Sequence, residues 1–230
     1  MIDTPSFRHD RAFFGRRKGK KLSDVREDLI DHVLPRLRVP VTPALDPRSL
    51  FSEAKISYRL EIGFGGGEHL LHQARLHPDI GFIGCEPFVN GMAKMLAAIE
   101  REAIKNIRLF DSDAVELLKT LVPDGLDGVD LLYPDPWPKR RQHKRRFVSD
   151  VTINLIAKAL KRGGLFRFAS DIDHYVGWTL AHIFNAKQFQ WTATTADDWR
   201  LPWPEWIETR YEAKARREGR QSSYLIFKKI

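Results

Sequence analysis

The chain has 230 residues, 43% hydrophobic and 30% charged, with 38 Lys plus Arg against 30 Asp plus Glu. No run approaches the roughly 18 apolar residues that span a bilayer, and no apolar signal core opens the chain, so a cytoplasmic protein is expected rather than a helical membrane protein. Cys85, the single cysteine, excludes internal disulfides and thiolate-rich metal sites, and eight scattered histidines show no ligand spacing, so no metal is expected.

Residues 1–50 read as a basic, proline-punctuated arm with one helix around residues 23–34, where Ser23 and Asp24 occupy N-cap positions. Residues 51–230 read as the main domain. There, short apolar strands alternate with amphipathic helices: a strand at 59–63, a helix at 68–76, a strand at 81–86 and a helix at 89–103. A strand at 107–110, a helix at 114–121, a strand at 129–133, a helix at 147–160 and a strand at 165–169 follow. A helix at 174–185 then precedes two strands, 189–195 and 224–228, that read as a closing β pair. This order predicts an α/β fold with a doubly wound, mostly parallel sheet of seven strands and an antiparallel C-terminal strand. Such sheets place ligands at the carboxyl ends of their strands, near the topological switch point.

The polar residues of the core region fall at those ends. Glu61-Ile-Gly63-Phe-Gly-Gly-Gly-Glu68 is a glycine-rich strand-to-helix turn, whose glycines let the backbone approach a ligand closely. Glu86 tips the next strand, where a carboxylate can accept hydrogen bonds from both hydroxyls of a ribose; this spacing also fits a nicotinamide cofactor. Asp113 follows the third strand and reads either as an adenine contact or as a helix N-cap. Asp171 closes the fifth and reads either as an N-cap or as a base contact.

At the fourth strand tip the sequence is Tyr133-Pro134-Asp135-Pro136-Trp137-Pro138-Lys139. A proline fixes its own φ and biases the preceding residue toward extended geometry, so Asp135 is held out of any helix. Six cations follow within residues 139–146. Together with the clusters at 16–21 and 214–220, they favour a polyanionic partner over a merely solvated face. Three acid-tipped strand ends after a glycine turn match an S-adenosylmethionine (SAM) site better than a dinucleotide site. The run Thr209-Arg210-Tyr211-Glu212 with its following cations reads either as an exposed charged helix or as a base-and-phosphate contact. Trp199, Trp203 and Trp206 read mostly as core.

Taken together, Leu60–Gly65, Gly84–Pro87, Tyr133–Lys139, Lys144–Arg146 and Thr209–Glu212 resemble the bacterial tRNA (guanine-N(7)-)-methyltransferase family, from about Phe14 to the C-terminus. The resemblance implies a Rossmann-like SAM-dependent methyltransferase fold. It implies methylation of N(7) of the guanine at position forty-six, in the variable loop of tRNA. The cofactor residues it implies are Glu61, Gly63, Glu86, Asp113 and Asp135, with Asp135 also catalytic. Lys139, Asp171, Thr209, Arg210, Tyr211 and Glu212 would hold the substrate. Arg141, Gln142, His143, Lys144, Arg145 and Arg146 would touch RNA. A monomer or homodimer with tRNA as partner is expected. The alternatives are another SAM-dependent RNA methyltransferase and a catalytically silent RNA-binding protein.

Overall fold

The protein is described by a computed structural model of residues 14–230; the first 13 residues of the basic arm lie outside the described residues. The strands are β1 (Ser57–Ile62), β2 (Ile80–Cys85), β3 (Ile107–Phe110), β4 (Leu126–Leu132), β5 (Leu160–Ser170), β6 (Phe189–Trp191) and β7 (Ser223–Lys229). They form one sheet in the order β3-β2-β1-β4-β5-β7-β6. β1 to β5 are parallel, and β7 is antiparallel to both β5 and β6. The order reverses between β1 and β4, so the ligand crevice of a doubly wound sheet falls at their carboxyl ends.

The helices are α1 (Asp24–Asp28), α2 (Leu34–Leu37), α3 (Glu68–Leu76), α4 (Val89–Glu102), α5 (Ala114–Thr120), α6 (Asp150–Ala159), α7 (Asp173–Ala186), α8 (Asp197–Arg200) and α9 (Arg210–Arg217). One core layer joins Leu60, Ile62, Val129, Leu131, Phe166 and Phe168 to Leu117, Ile153 and Tyr175 of α5 to α7. A second joins Leu70, Met92, Met95 and Leu96 of α3 and α4 to Phe82 and Ile107. A buried Leu or Phe contributes about 1.5–3 kcal/mol by leaving water, so Phe168→Ala at the centre of the first layer costs about 3–5 kcal/mol.

Several elements differ from the sequence reading. The helix expected at 23–34 runs on to Leu37 through a π-helical stretch, Leu29–Val33. Pro35 follows that stretch and has no N–H for the regular ladder. Ser23 occupies the N-cap, but only its carbonyl is used, accepting from Arg26 and Glu27 N–H at 2.8 and 3.0 Å. Within the expected arm, Val33, Leu34, Val39 and Leu45 are buried in the two core layers.

The helix expected at 147–160 begins at Asp150, because Ser149 and Thr152 form a reciprocal capping box. β5 begins at Leu160, with an irregularity against β4 where Gly163 takes φ +82° and interrupts the apolar pattern.

The face of the sheet opposite α5 to α7 carries charge. Glu61 of β1 is in register with Asp130 of β4, and Asp130 with Arg167 of β5. Arg59 grips Asp130 through two oxygens at 3.0 and 2.9 Å. Burial raises the Asp130 pKa, but Arg59 and Arg167 outweigh it, and the net shift is downward. Paired charges of this kind are tolerated inside because each neutralises the next. Trp203 lies buried over this row, with the Arg167 guanidinium 5.3 Å from its ring.

Candidate active site

The β1–α3 connection carries the tightest backbone. Gly63, Gly65 and Gly67 have φ of +73°, +57° and +83°, the left-handed region that a side chain disfavours. α4 presses on this turn: a Cβ at Gly91 would lie 2.3 Å from the Gly65 carbonyl oxygen. Above Gly63 nothing lies within 4 Å of a Cβ position, so the backbone there is open to a ligand.

Glu86 binds the turn to the β2 tip. Its Oε2 accepts from Gly65 N–H at 2.7 Å and its Oε1 from Phe88 N–H at 2.9 Å. Burial raises its pKa; the two N–H donors oppose the shift, and the nearby Asp135 charge adds to it. Each oxygen keeps a second lone pair, so the ribose role expected for Glu86 remains chemically available. Asp113 is the N-cap of α5, accepting from Val115 N–H at 3.0 Å, which was one of its two readings.

Glu61 has a partner that the sequence reading missed. His69 Nδ1 lies 2.7 Å from Glu61 Oε2, with both side chains buried. Burial pushes the His69 pKa down, the adjacent Glu61 carboxylate pushes it up, and the net shift is upward. His69 Nε2 is buried with no hydrogen-bond partner, and the ring lies 5.3 Å from Trp206.

Asp135 is exposed beyond the β4 tip, on the same edge. Surrounding protein thins its hydration and raises its pKa. The prolines do not impose extended geometry on every preceding residue: Tyr133 and Trp137 have φ of +48° and +43°. Local anchors hold these two conformations, each costing on the order of 1–3 kcal/mol. Tyr133 N–H donates to Ala169 O at 2.8 Å and its hydroxyl to Ser222 Oγ at 2.8 Å. Trp137 takes the Arg145 guanidinium 4.9 Å from its ring, and Phe14 takes the same group at 5.1 Å.

The cationic run forms a 3₁₀ helix, Arg140–Arg145, capped by the exposed Lys139. Residues three apart eclipse in such a helix, so its faces separate. Arg141 and Lys144 are exposed, and Gln142 and Arg145 are half-buried. His143 packs 4.8 Å from His174 and 5.5 Å from Trp178. Arg146, expected among the RNA contacts, is 2% exposed and faces α7 rather than solvent. Its inward turn follows from the register of the helix.

At the other end of the arm, Asn90 accepts from Gly19 N–H and donates to Lys20 O, both at 2.8 Å. Those two bonds hold the basic segment against the start of α4. A cavity of about 400 Å³ lies there, where Glu27 and Asp31 share the walls with Lys18, Lys20 and Lys21.

Thr209 and Glu212 form the capping box of α9, a role that Thr-x-x-Glu spells out and that the sequence reading did not use. Glu212 also accepts from Trp206 Nε1 at 2.7 Å and from the Tyr224 hydroxyl. Its carboxylate is therefore committed within the protein, whereas Arg210 and Tyr211 stay exposed. Ion pairs around α9 join Glu208 to Arg216, Lys214 to Glu218 and Arg220 to Glu218. Asp171 accepts from Arg220 Nε at 2.6 Å.

Arg210 and Tyr211 lie over the glycine turn, each 3.3 Å from a Cβ position at Gly65. The cleft between Glu61, Gly63, His69, Tyr133, Thr209 and Tyr211 holds about 10 Å³. Small-molecule sites span roughly 300–1,000 Å³, so the cleft as it stands is smaller than a nucleoside. The open backbone at Gly63, the strand-tip acids and the orphaned His69 nitrogen fit a polar nucleoside cofactor with an amino-acid tail. Among the described residues there is no group of three or more side chains that could hold a metal, and no helix long and apolar enough to cross a membrane.

A protein-family model described as "Putative methyltransferase" matches residues 55–225. The tRNA (guanine-N(7)-)-methyltransferase of Rhizobium meliloti (strain 1021) is 54% identical, covering 100% of this chain and 100% of its own. That of Rhodopseudomonas palustris (strain BisB5) is 55% identical, covering 96% of this chain and 88% of its own. Among solved structures, the 16S rRNA methyltransferase KamB superposes with a TM-score of 0.57 over 80% of this chain and 91% of its own. At 18% identity that likeness speaks for the fold alone.

Proposed function

The chain belongs to the tRNA (guanine-N(7)-)-methyltransferase family, and on that premise we propose that it carries a methyl group from SAM to N(7) of the guanine at position forty-six in the variable loop of tRNA. We place this work in the cytoplasm. The observation that carries the reading is the exposed Asp135, rigidly held at the β4 tip, on the same carboxyl edge as the Glu86-bound glycine turn.

SAM supplies an electrophilic methyl group on a sulfonium. Guanine N(7) has a free lone pair and no proton, so the protein needs no general base to make the nucleophile. Its contribution is alignment, which recovers on the order of 7–11 kcal/mol when reactants are well oriented. Glu61 and Gly63 would receive the amino-acid end of the cofactor, Glu86 the ribose, and the Asp113 edge the adenine. Asp135 would face the purine and stabilise the positive charge that spreads over it as the methyl arrives. Lys139, Asp171 and Thr209 through Glu212 would line the purine's approach, and Arg141 and Lys144 would meet phosphates. In folded tRNA the base leaves its stack to reach the site, at a cost of a few kcal/mol.

Incubation with methyl-labelled SAM and bulk unmodified tRNA, followed by nucleoside analysis, tests the reading. Label in 7-methylguanosine supports it. Label in another nucleoside, or none, contradicts it.

A further inference from the structure

A buried guanidinium normally has a carboxylate beside it; Arg146 has none among the described residues and is only 2% exposed. Its Nε–H donates to the Pro136 carbonyl at 2.8 Å, and its Nη1 donates to His174 Nδ1 at 3.0 Å. Since a guanidinium only donates, His174 must accept at Nδ1 and carry its proton on Nε2. Tyr175 and Trp178 both lie against the cation, with ring centroids 4.8 and 5.1 Å away. Cation–π contact and two hydrogen bonds replace part of the lost hydration.

The same two aromatic residues hold the adjoining backbone. Tyr175 Oη accepts from Val148 N–H at 3.3 Å, and Trp178 Nε1 donates to Val148 O at 2.8 Å. The start of α7 therefore grips residues 146–148, and Arg146 extends that grip to the residue immediately after Asp135. The Pro136 carbonyl belongs to the peptide that leads into Trp137, whose φ of +43° relaxes unless a neighbour holds it. With Pro136 φ fixed by its ring and its carbonyl fixed by Arg146, the Asp135 backbone is anchored on its C-terminal side. On its N-terminal side the Tyr133 bonds to Ala169 and Ser222 anchor it.

We propose that Arg146 is the positioning residue for Asp135: a buried strut braced against α7 that aims the carboxylate at the reacting base without touching RNA. The proposal rests on the catalytic reading of Asp135. A strut acts on the chemical step and leaves both binding steps alone; a phosphate contact does the reverse.

The test is a cycle of Arg146→Lys, Asp135→Asn and the double variant, measured by single-turnover methyl transfer at saturating SAM, with SAM and tRNA affinities and thermal stability alongside. Lysine keeps the charge but cannot bridge Pro136 and His174 together. Arg146→Lys is expected to slow transfer by about thirtyfold or more while both dissociation constants stay within about threefold. Residues that act as one unit lose activity once, so the double variant should match Asp135→Asn within about threefold. A normal rate in Arg146→Lys, weakened tRNA binding at unchanged rate, or multiplying losses in the double variant would each overturn the proposal. A normal rate in Asp135→Asn alone would overturn the reading of Asp135, and the strut with it. Should Arg146→Lys fail to fold, His174→Leu at an exposed position frees the far end of the guanidinium. It is expected to give a smaller loss, about fivefold, again in rate only.

Discussion

His69 Nδ1 lies 2.7 Å from Glu61 Oε2 beneath the glycine turn, a buried pair that joins the first turn of α3 to the last residues of β1. Breaking a buried pair by removing one partner leaves an uncompensated charge and costs about 3–5 kcal/mol. His69→Asn should therefore destabilise by about 3 kcal/mol in urea unfolding near pH 6. The folded His69 pKa is raised above its unfolded value near 6.5, so this stabilisation is fully present below that value. It is lost as pH rises through the folded value. The gap between wild type and His69→Asn should narrow as pH rises above about 6.5, and a gap that widens would show the pair reading to be wrong.

Glu86 does two jobs in one carboxylate, holding Gly65 and Phe88 N–H while keeping lone pairs for a ribose. Glu86→Ala should weaken SAM about 10- to 100-fold by calorimetry, with tRNA affinity within about threefold of wild type. An equal loss of both affinities would mean that the turn organises the whole site rather than the cofactor pocket.

The α9 cap is a stability element as well as a candidate substrate contact. Glu212→Ala strands the Trp206 and Tyr224 donors together with the Thr209 backbone N–H, and should cost about 2–3 kcal/mol. Thr209→Val, which removes one cap acceptor, should cost about 1 kcal/mol. Equilibrium urea unfolding of both variants reads these values. A neutral Glu212→Ala would place its carboxylate outside the network.

Binding to tRNA should be strongly salt-dependent: about six phosphate contacts predict roughly a thousandfold affinity loss between about 50 and about 200 mM salt. Within the cationic run only the outward residues should contribute. Arg141→Ala and Lys144→Ala should each lower the log–log slope by about one, whereas Arg146→Lys should leave it unchanged. A flat salt response in wild type would contradict an RNA partner.

The alternation of strands and helices was legible because parallel strands covered on both faces read as short apolar runs, such as Phe82–Cys85. The acids and glycines at the strand tips were legible because they punctuate those runs at their carboxyl ends. The pairing inside the sheet was hidden. Arg59, Glu61, Asp130 and Arg167 look like the wet side of an alternating strand, and their mutual neutralisation shows only once the register sets them side by side. Arg146 was illegible for a related reason. Its cage comes from His174, Tyr175 and Trp178, and no local feature separates it from Lys144 and Arg145 in one basic run. Thr209 and Glu212 were singled out for ligand chemistry, although their spacing already spelled a capping box. The β5 start and the π-helical stretch before Pro35 depend on Gly163 and on a missing N–H, whose effects no apolar periodicity records.

The most direct measurement is single-turnover methyl transfer to unmodified tRNA by Asp135→Asn with SAM saturating, so that any change in cofactor affinity drops out. Asparagine keeps the size of the side chain, removes its charge and turns one acceptor oxygen into an NH2 donor. The carboxylate reading predicts a rate at least about a hundredfold below wild type, worth about 2.7 kcal/mol of transition-state stabilisation. A rate within about threefold of wild type would contradict it, leaving the β4 tip as scaffold alone.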